Sequence, residues 1–306
     1  YEIPLRLVGS EMCIRDRAGV HASGFGRISQ PAWTELFEEG VPSVLSRWPN
    51  EGWQPIGKVV EPGTGEHRKE APLPIFHYDD PRPDAWREAP WLQGYFTHGY
   101  ADDLIRVARI DREAHRFHMA QHTVYGFRSG APWRVWCARN LLEEIDLPGE
   151  MALDEKRAKL YYLPRTEDGR LILSVLDTPL VAIRNCANVR LEGLTFAYGR
   201  GVGVYLENTK DVTLHGCTLR NLGNVAICVG RGAPFAEAPT HWQPGDLLRL
   251  TYDDPLNDRR GGRRNRIENC VIDNVGAGGI SLGGGVRRTL ERGDNVVENC
   301  RITRLN

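Results

Sequence analysis

The sequence has no apolar run near the ~18 residues that a membrane-spanning helix needs, so no membrane span is expected within these 306 residues. It has almost no net charge. With 39 Lys and Arg against 40 Asp and Glu, the balance of −1 argues against nucleic-acid or membrane-surface binding driven by bulk charge. Its seven cysteines form no CxxC pair and no Cys/His zinc spacing. The triplet His115, His118 and His122 has no helix or acidic partner to frame it, and neither a metal nor a cofactor is expected. Helical signals are few, with Ala138–Glu144 the best stretch for one or two turns. The glycine-rich runs Gly199–Val204 and Gly276–Gly285 lack the strand–turn–helix setting of a phosphate cradle.

The first residues have no pattern at all. In Leu7–Arg17 charged residues interrupt every few positions, which rules out a signal h-region, and Leu7, Val8, Met12, Cys13 and Ile14 do not hold one helix face. The string from Val8 to Asp16 instead resembles the translation of a transposon-type sequencing adapter, and Tyr1–Glu2–Ile3 fits its outer end. Tyr1–Arg17 is therefore set aside as adapter-derived, with no regular structure expected there, and the native start with any export signal is expected to lie outside this sequence.

The remainder reads as two parts. Residues 18–165 are rich in tryptophan, holding seven of the eight, with short β-like runs such as Ile105–Ile110 and Leu160–Leu163 between Pro, Gly and Asp turns. Gly63–Pro90 is polar and proline-rich and reads as a long surface excursion. Residues 166–306 carry an internal repeat in four lines: Val189–Phe196, Val212–Leu219, Asn265–Ile272 and Asn295–Ile302. Three apolar columns run through them. These are Leu191, Leu214, Ile267, Val297; Leu194, Cys217, Cys270, Cys300; and Phe196, Leu219, Ile272, Ile302. Gly193, Gly216, Asn269 and Asn299 mark the kink where alternation slips. Ala182–Ile183 matches Tyr205–Leu206, and Asn185 matches Asn208, at the same step.

Such units cannot bury an apolar face alone and must stack. A step of about 22 residues with β-branched alternation and Gly/Asn corners predicts an all-β chain built on a right-handed parallel β-helix, and the leucine-rich frame is absent. The excess between the second and third lines predicts an inserted loop over 233–264, with a smaller excursion over Gly283–Asp294. No capping element follows the last strand, so the solenoid is expected to be truncated at its C-terminal end as well. Stacking sets the thiols side by side, so reduced cysteines are expected.

Four stretches carry a family resemblance: Thr34–Trp53, Asn140–Pro164, Val189–Val204 and Gly276–Cys300. They resemble bacterial right-handed parallel β-helix proteins of the pectate-lyase-like superfamily, and among named groups the glycoside hydrolases of the family that holds α-fucosidases and xylanases. The resemblance covers nearly all of Thr34–Asn306. It implies a secreted, periplasmic or cell-surface protein acting on a polysaccharide or oligosaccharide. One position departs: Val286 stands where the group often has an acid or amide before the arginine matched by Arg287, which weakens a binding role for that loop.

Glycosidic cleavage needs two carboxylates, about 5–5.5 Å apart for retention or about 6.5–9.5 Å for inversion. Coils stack at roughly 4.8 Å, which makes the outward column Glu192, His215, Glu268, Glu298 a candidate, with Glu268 and Glu298 adjacent. Against it stand Arg190, Arg266 and Arg301, close enough to neutralise a solvated structural ladder. Asp273 is a third catalytic candidate, with a turn-forming role as its alternative. Trp242, Tyr252 and Asp254 in the inserted loop, with Arg287, are candidate sugar contacts. The expected function is a glycoside hydrolase using two carboxylates, with a non-catalytic glycan-binding or adhesin β-helix second and a polysaccharide lyase third.

Overall fold

A computed structural model describes residues 2–4, 19–24, 32–63, 71–230, 261–286 and 289–305. The chain divides into two compact units, one from Tyr1–Arg27 and Ser43–Arg170, the other from Ile28–Pro42 and Leu171–Asn306.

The first unit is antiparallel except where Val44–Leu45 pairs in parallel with Glu150–Asp154. One sheet runs in the order Arg47–Trp48, Val135–Arg139, Trp91–Tyr95, Asp103–Asp111, Arg116–Met119, Ile75–His77, Val59–Glu61. Its core is aromatic. Phe76, Phe96, Phe117, Phe127 and Trp136 are all essentially buried, and Phe76 lies 5.5 Å from Phe117 and from Phe127 between ring centroids. Two expectations fail here. Gly63–Pro90 is not only a surface excursion, because Ile75–His77 joins the sheet and Phe76, Tyr78 and Trp86 enter the core. Ala138–Glu144 is not helical: strand Val135–Arg139 continues into it, and only Leu142–Glu144 makes a 3₁₀ turn. Both failures share a cause. The carboxylate of Glu144 is buried and takes Arg82 Nε at 2.7 Å and Arg82 Nη2 at 3.1 Å. Trp86 Nε1 also donates to it. This long-range clamp draws the proline-rich segment onto the core.

A smaller sheet holds Val44–Leu45, Glu150–Asp154 and Lys159–Tyr162, and Glu2–Pro4 pairs antiparallel on its edge, Ile3 opposite Leu160. Regular structure was not expected within Tyr1–Arg17. An open strand edge recruits extended backbone through its free N–H and C=O groups with little regard to side chains. Leu7, Val8 and Ile14 lie outside the described residues.

The second unit is a three-faced parallel β-helix of four coils. The first face stacks Val181–Arg184, Val204–Glu207, Ile227–Val229 and Ile280–Leu282. Arg190–Glu192, Thr213–His215, Arg266–Glu268 and Val296–Glu298 make the second, and Thr195–Ala197, Thr218–Leu222, Val271–Val275 and Arg301–Leu305 the third. The register pairs Leu191 with Leu214, Leu214 with Ile267, and Ile267 with Val297. It also aligns Phe196, Leu219, Ile272 and Ile302. Between these columns Cys217 and Cys270 are buried free thiols, and Cys300 is a half-buried one. Each sulfur reaches a carbonyl of the preceding coil: Cys217 to Leu191 at 3.5 Å, Cys270 to Leu214 at 3.7 Å, Cys300 to Ile267 at 3.5 Å. Leu194 holds the head of this column yet is 44% exposed, and Val297 and Ile302 are about as open. Among the described coils, only the middle ones have a neighbour on both sides.

Left-handed corners turn the chain. Gly193, Gly216, Asn269 and Asn299 have φ of 64, 61, 57 and 51°, a region that glycine enters freely and asparagine tolerates. Where asparagine serves, its amide bridges coils, Asn299 Nδ2 donating to Asn269 Oδ1 at 2.5 Å and Asn274 Nδ2 to Asn221 Oδ1 at 2.7 Å. A hairpin, Leu36–Glu38 with Val41–Pro42, packs onto the first coils. Asn221 Nδ2 donates to Gly40 O at 2.9 Å, and Phe37 meets Tyr198 edge-on at 5.1 Å. Residues 261–264, expected inside the inserted loop, belong instead to a coil corner where Arg263 bridges Lys210.

The corners give a pair of contrasting substitutions. Nothing lies within 4 Å of a Cβ built on Gly216, so Gly216→Asn should extend the asparagine ladder and leave the thermal midpoint unchanged or higher. A Cβ on Gly262, at φ 67°, would collide with Thr209 O, so Gly262→Ala should lose more than about 1 kcal/mol in denaturant unfolding.

Candidate functional site

The corner that leads into the second face opens as a cleft of about 530 Å³. Its base is backbone in close approach. Side chains on Gly261, Gly262, Gly284 or Gly285 would strike neighbouring main chain or the Asn295 amide. Two amides brace it, Asn265 buried and Asn295 half-buried. Asn265 accepts from Thr209 Oγ1 at 3.1 Å and Val212 N at 3.2 Å and donates to Gly261 O at 3.0 Å. Asn295 accepts from Asn265 N at 2.8 Å and donates to Gly283 O at 2.7 Å. The asparagines that open two of the repeat lines are thus structural braces, and they fix the cleft before any ligand arrives.

The rim is cationic: Lys210, Arg263, Arg264 and Arg292 against Glu291. Arg264 is committed to Asp211 through two bonds at 2.7 and 2.8 Å, which hold that carboxylate below its usual range. Arg263 pairs with Glu291 and Arg292 with Asp294 at 3.1 Å. Lys210 has no ion pair among the described residues. A second hollow, lined by Gly284, Leu290, Arg292 and Asn295, continues the groove and shares Val286, Glu291 and Arg292 with it.

The outward column on the second face forms as the register requires, His215 beside Glu192 and Glu268, Glu268 beside Glu298. Arg266 holds it together, pairing with Glu268 through Nε and with Glu298 Oε2 through Nη2 at 3.1 Å. His215 Nδ1 lies 3.5 Å from Glu268 Oε2. These partners, Arg266 foremost, lower the Glu268 pKa, which opposes a proton-donating role. Asp273 is bound more firmly still. Arg304 and Thr303 Oγ1 occupy its oxygens and pull its pKa to about 2. The structure brings Glu268 and Glu298 together and keeps Asp273 apart on the third face. Trp242, Tyr252, Asp254 and Arg287 lie outside the described residues. His115 and His118 take separate carboxylates, Asp84 at 3.2 Å and Asp111 at 3.8 Å.

One acid escaped the sequence reading. Burial lifts Glu35 from 4.5 to about 7, only partly opposed by the Arg200 charge, and its Oε2 is buried with no hydrogen-bond partner among the described residues. It sits in the hairpin seam, its backbone N–H donating to Ser174 Oγ at 3.0 Å, and not in the cleft. No local pattern could reveal it, because the burial comes from a partner 139 residues away.

No protein-family profile matches the chain, and no curated protein matches it. Among solved structures, the chain is similar to one titled "Glycoside hydrolase" at TM-score 0.52 and 13% identity, over 83% of this chain and 59% of that one. The tailspike protein gp49 from Pseudomonas phage LKA1 aligns over 81% of this chain and 42% of its own, at 11% identity and TM-score 0.23. The first likeness is one of fold, and the chain spans 59% of the length of the protein it matches. No helix among the described residues is long and apolar enough to cross a membrane.

Glu35 makes stability depend on pH. Its folded pKa is raised, so its contribution is whole below about pH 4.5 and lost as pH rises toward 7. Thermal melts should fall across that window, by up to on the order of 3 kcal/mol at about 1.4 kcal/mol per pKa unit. Glu35→Gln should flatten the profile and be the more stable form at pH 8. A wild-type profile that is already flat would refute the assignment.

Proposed function

We propose that this chain is a carbohydrate-active protein that holds a polysaccharide in the groove at the Lys210–Arg263–Arg292 corner and hydrolyses it with two carboxylates. The observation that carries the reading is the cleft itself, a rigid backbone-floored site on a parallel β-helix with a cationic rim and one uncommitted lysine. The fold likeness to a protein titled glycoside hydrolase supports it. Trp242, Tyr252 and Asp254 are assigned as sugar contacts from the inserted loop. The chemistry is assigned to carboxylates other than Glu268, Glu298 and Asp273, because all three are neutralised by arginine. The site of action is outside the cytoplasm, where polysaccharide substrates are met.

A non-catalytic glycan binder is the second reading, favoured by the ion pairing of the cleft acids Asp211, Glu291 and Asp294. Release of reducing ends from a polysaccharide panel without added metal separates the two. Hydrolysis should appear, and Lys210→Ala should raise KM roughly tenfold, about 1.4 kcal/mol of lost binding. Binding without new reducing ends would establish the second reading. Glu268→Gln and Glu298→Gln should each leave turnover within about tenfold. A loss of several thousandfold in a folded variant would make that pair the catalytic one.

A further inference from the structure

The first unit carries a surface feature that its core does not require. Tyr100, Tyr125 and Trp133 are 62, 41 and 50% exposed, although burying aromatic rings is what builds the rest of this unit. They stand on two loops, Tyr100 with His98 between strands Trp91–Tyr95 and Asp103–Asp111, Tyr125 and Trp133 between Arg116–Met119 and Val135–Arg139. The His98 ring stacks on Tyr100 at 5.2 Å and 9°, and Tyr125 stands at 89° to His98 and 81° to Tyr100. The result is a two-walled aromatic corner. A hydrogen bond joins the Tyr100 and Tyr125 side chains. The Trp133 indole lies over Gly99, where a Cβ would come within 3.3 Å of it.

One buried residue holds these loops in place. Thr97 Oγ1 donates to Gly126 O at 2.6 Å, while Thr97 O accepts from Trp133 Nε1 at 3.3 Å and Arg134 Nε at 3.1 Å. Arg128 N closes the set on Phe96 O at 3.0 Å. The exposed rings are therefore preorganised, and a ligand would not have to order them.

The chemistry of the corner selects its occupant. Between the rings stand Gly99, Ser129, Gly130 and Ala131, with no exposed Leu, Ile or Met on these loops such as a protein interface would bury. The exposed charges on them, Asp102 and Arg128, balance, and Arg134 is engaged by Thr97 O and Ser129 O. A phosphate backbone or polyuronate finds there only the single surplus charge of Arg134, not a cluster of cations. A sugar ring offers what the corner matches, flat C–H faces for the aromatic surfaces and hydroxyls for the Tyr and His edges. We infer that the His98–Tyr100–Tyr125–Trp133 corner is a binding site for an uncharged polysaccharide chain, separate from the groove on the β-helix.

The inference stands whether or not the groove hydrolyses anything, and affinity gel electrophoresis of the full chain tests it. Gels containing arabinoxylan, xyloglucan or mixed-linkage β-glucan are the neutral arms, and homogalacturonan is the charged one. At least one neutral gel should retard the wild type. Tyr100→Ala with Trp133→Ala should weaken that retardation at least tenfold with an unchanged melting temperature. Tyr100→Phe, which keeps the ring, should retain binding within about threefold. No retardation in any neutral gel overturns the inference, as does retardation that the double variant leaves intact. A change in sedimentation of the double variant would mark the corner as a contact between copies of the chain and would overturn it equally.

Discussion

The solenoid depends on backbone that turns through left-handed corners at the same place in every coil. An ordinary L-residue resists that conformation, so the corner before the third face uses glycine or asparagine throughout, although Tyr198 and Arg304 adopt it at the corner they share with Asn221 and Asn274. Once the corner is fixed, the strands on either side have one register. That register decides which side chains become the inward columns Leu191–Leu214–Ile267–Val297 and Phe196–Leu219–Ile272–Ile302. Where asparagine is used, its amide also closes a hydrogen bond to the next coil. Corner geometry, strand pairing and core packing are thus one decision made repeatedly.

This explains which parts the sequence made legible. A column recurs at each coil because the same local requirement recurs, so Gly193, Gly216, Asn269 and Asn299 could be aligned without a structure. The first unit has no such repetition. Its order comes from single long-range events such as Glu144 clamping Arg82 and Trp86 across about 60 residues. Helical spacing at Ala138–Glu144 and the polar look of Gly63–Pro90 were local signals that these contacts overrode. The candidate site divides the same way. The adjacency of Glu268 and Glu298 follows from the repeat, whereas the buried state of Glu35 and the cleft around Lys210 depend on partners far along the chain.

Charge on the solenoid is spent mainly in tying coils and corners together. Arg264 holds Asp211 across one step, Arg266 holds Glu298 across the next, and Arg304 holds Asp273 across the same one. The arginines hold Asp211 and Asp273 below the usual carboxylate range, which opposes proton donation by either. Among the cleft residues, Lys210 is the cation left with a point charge to offer a ligand.

The uneven cover along the stack has a dynamic consequence. Leu214, Leu219 and Ile267 sit in coils sandwiched on both sides, while Leu194 at one end and Val297, Ile302 and Leu305 at the other are open to water. In a stack whose cohesion is a sum of nearest-neighbour interfaces, coils covered on both sides are the last to open. Backbone amides around Leu214, Leu219 and Ile267 should therefore exchange with solvent deuterium only through a large opening of the solenoid.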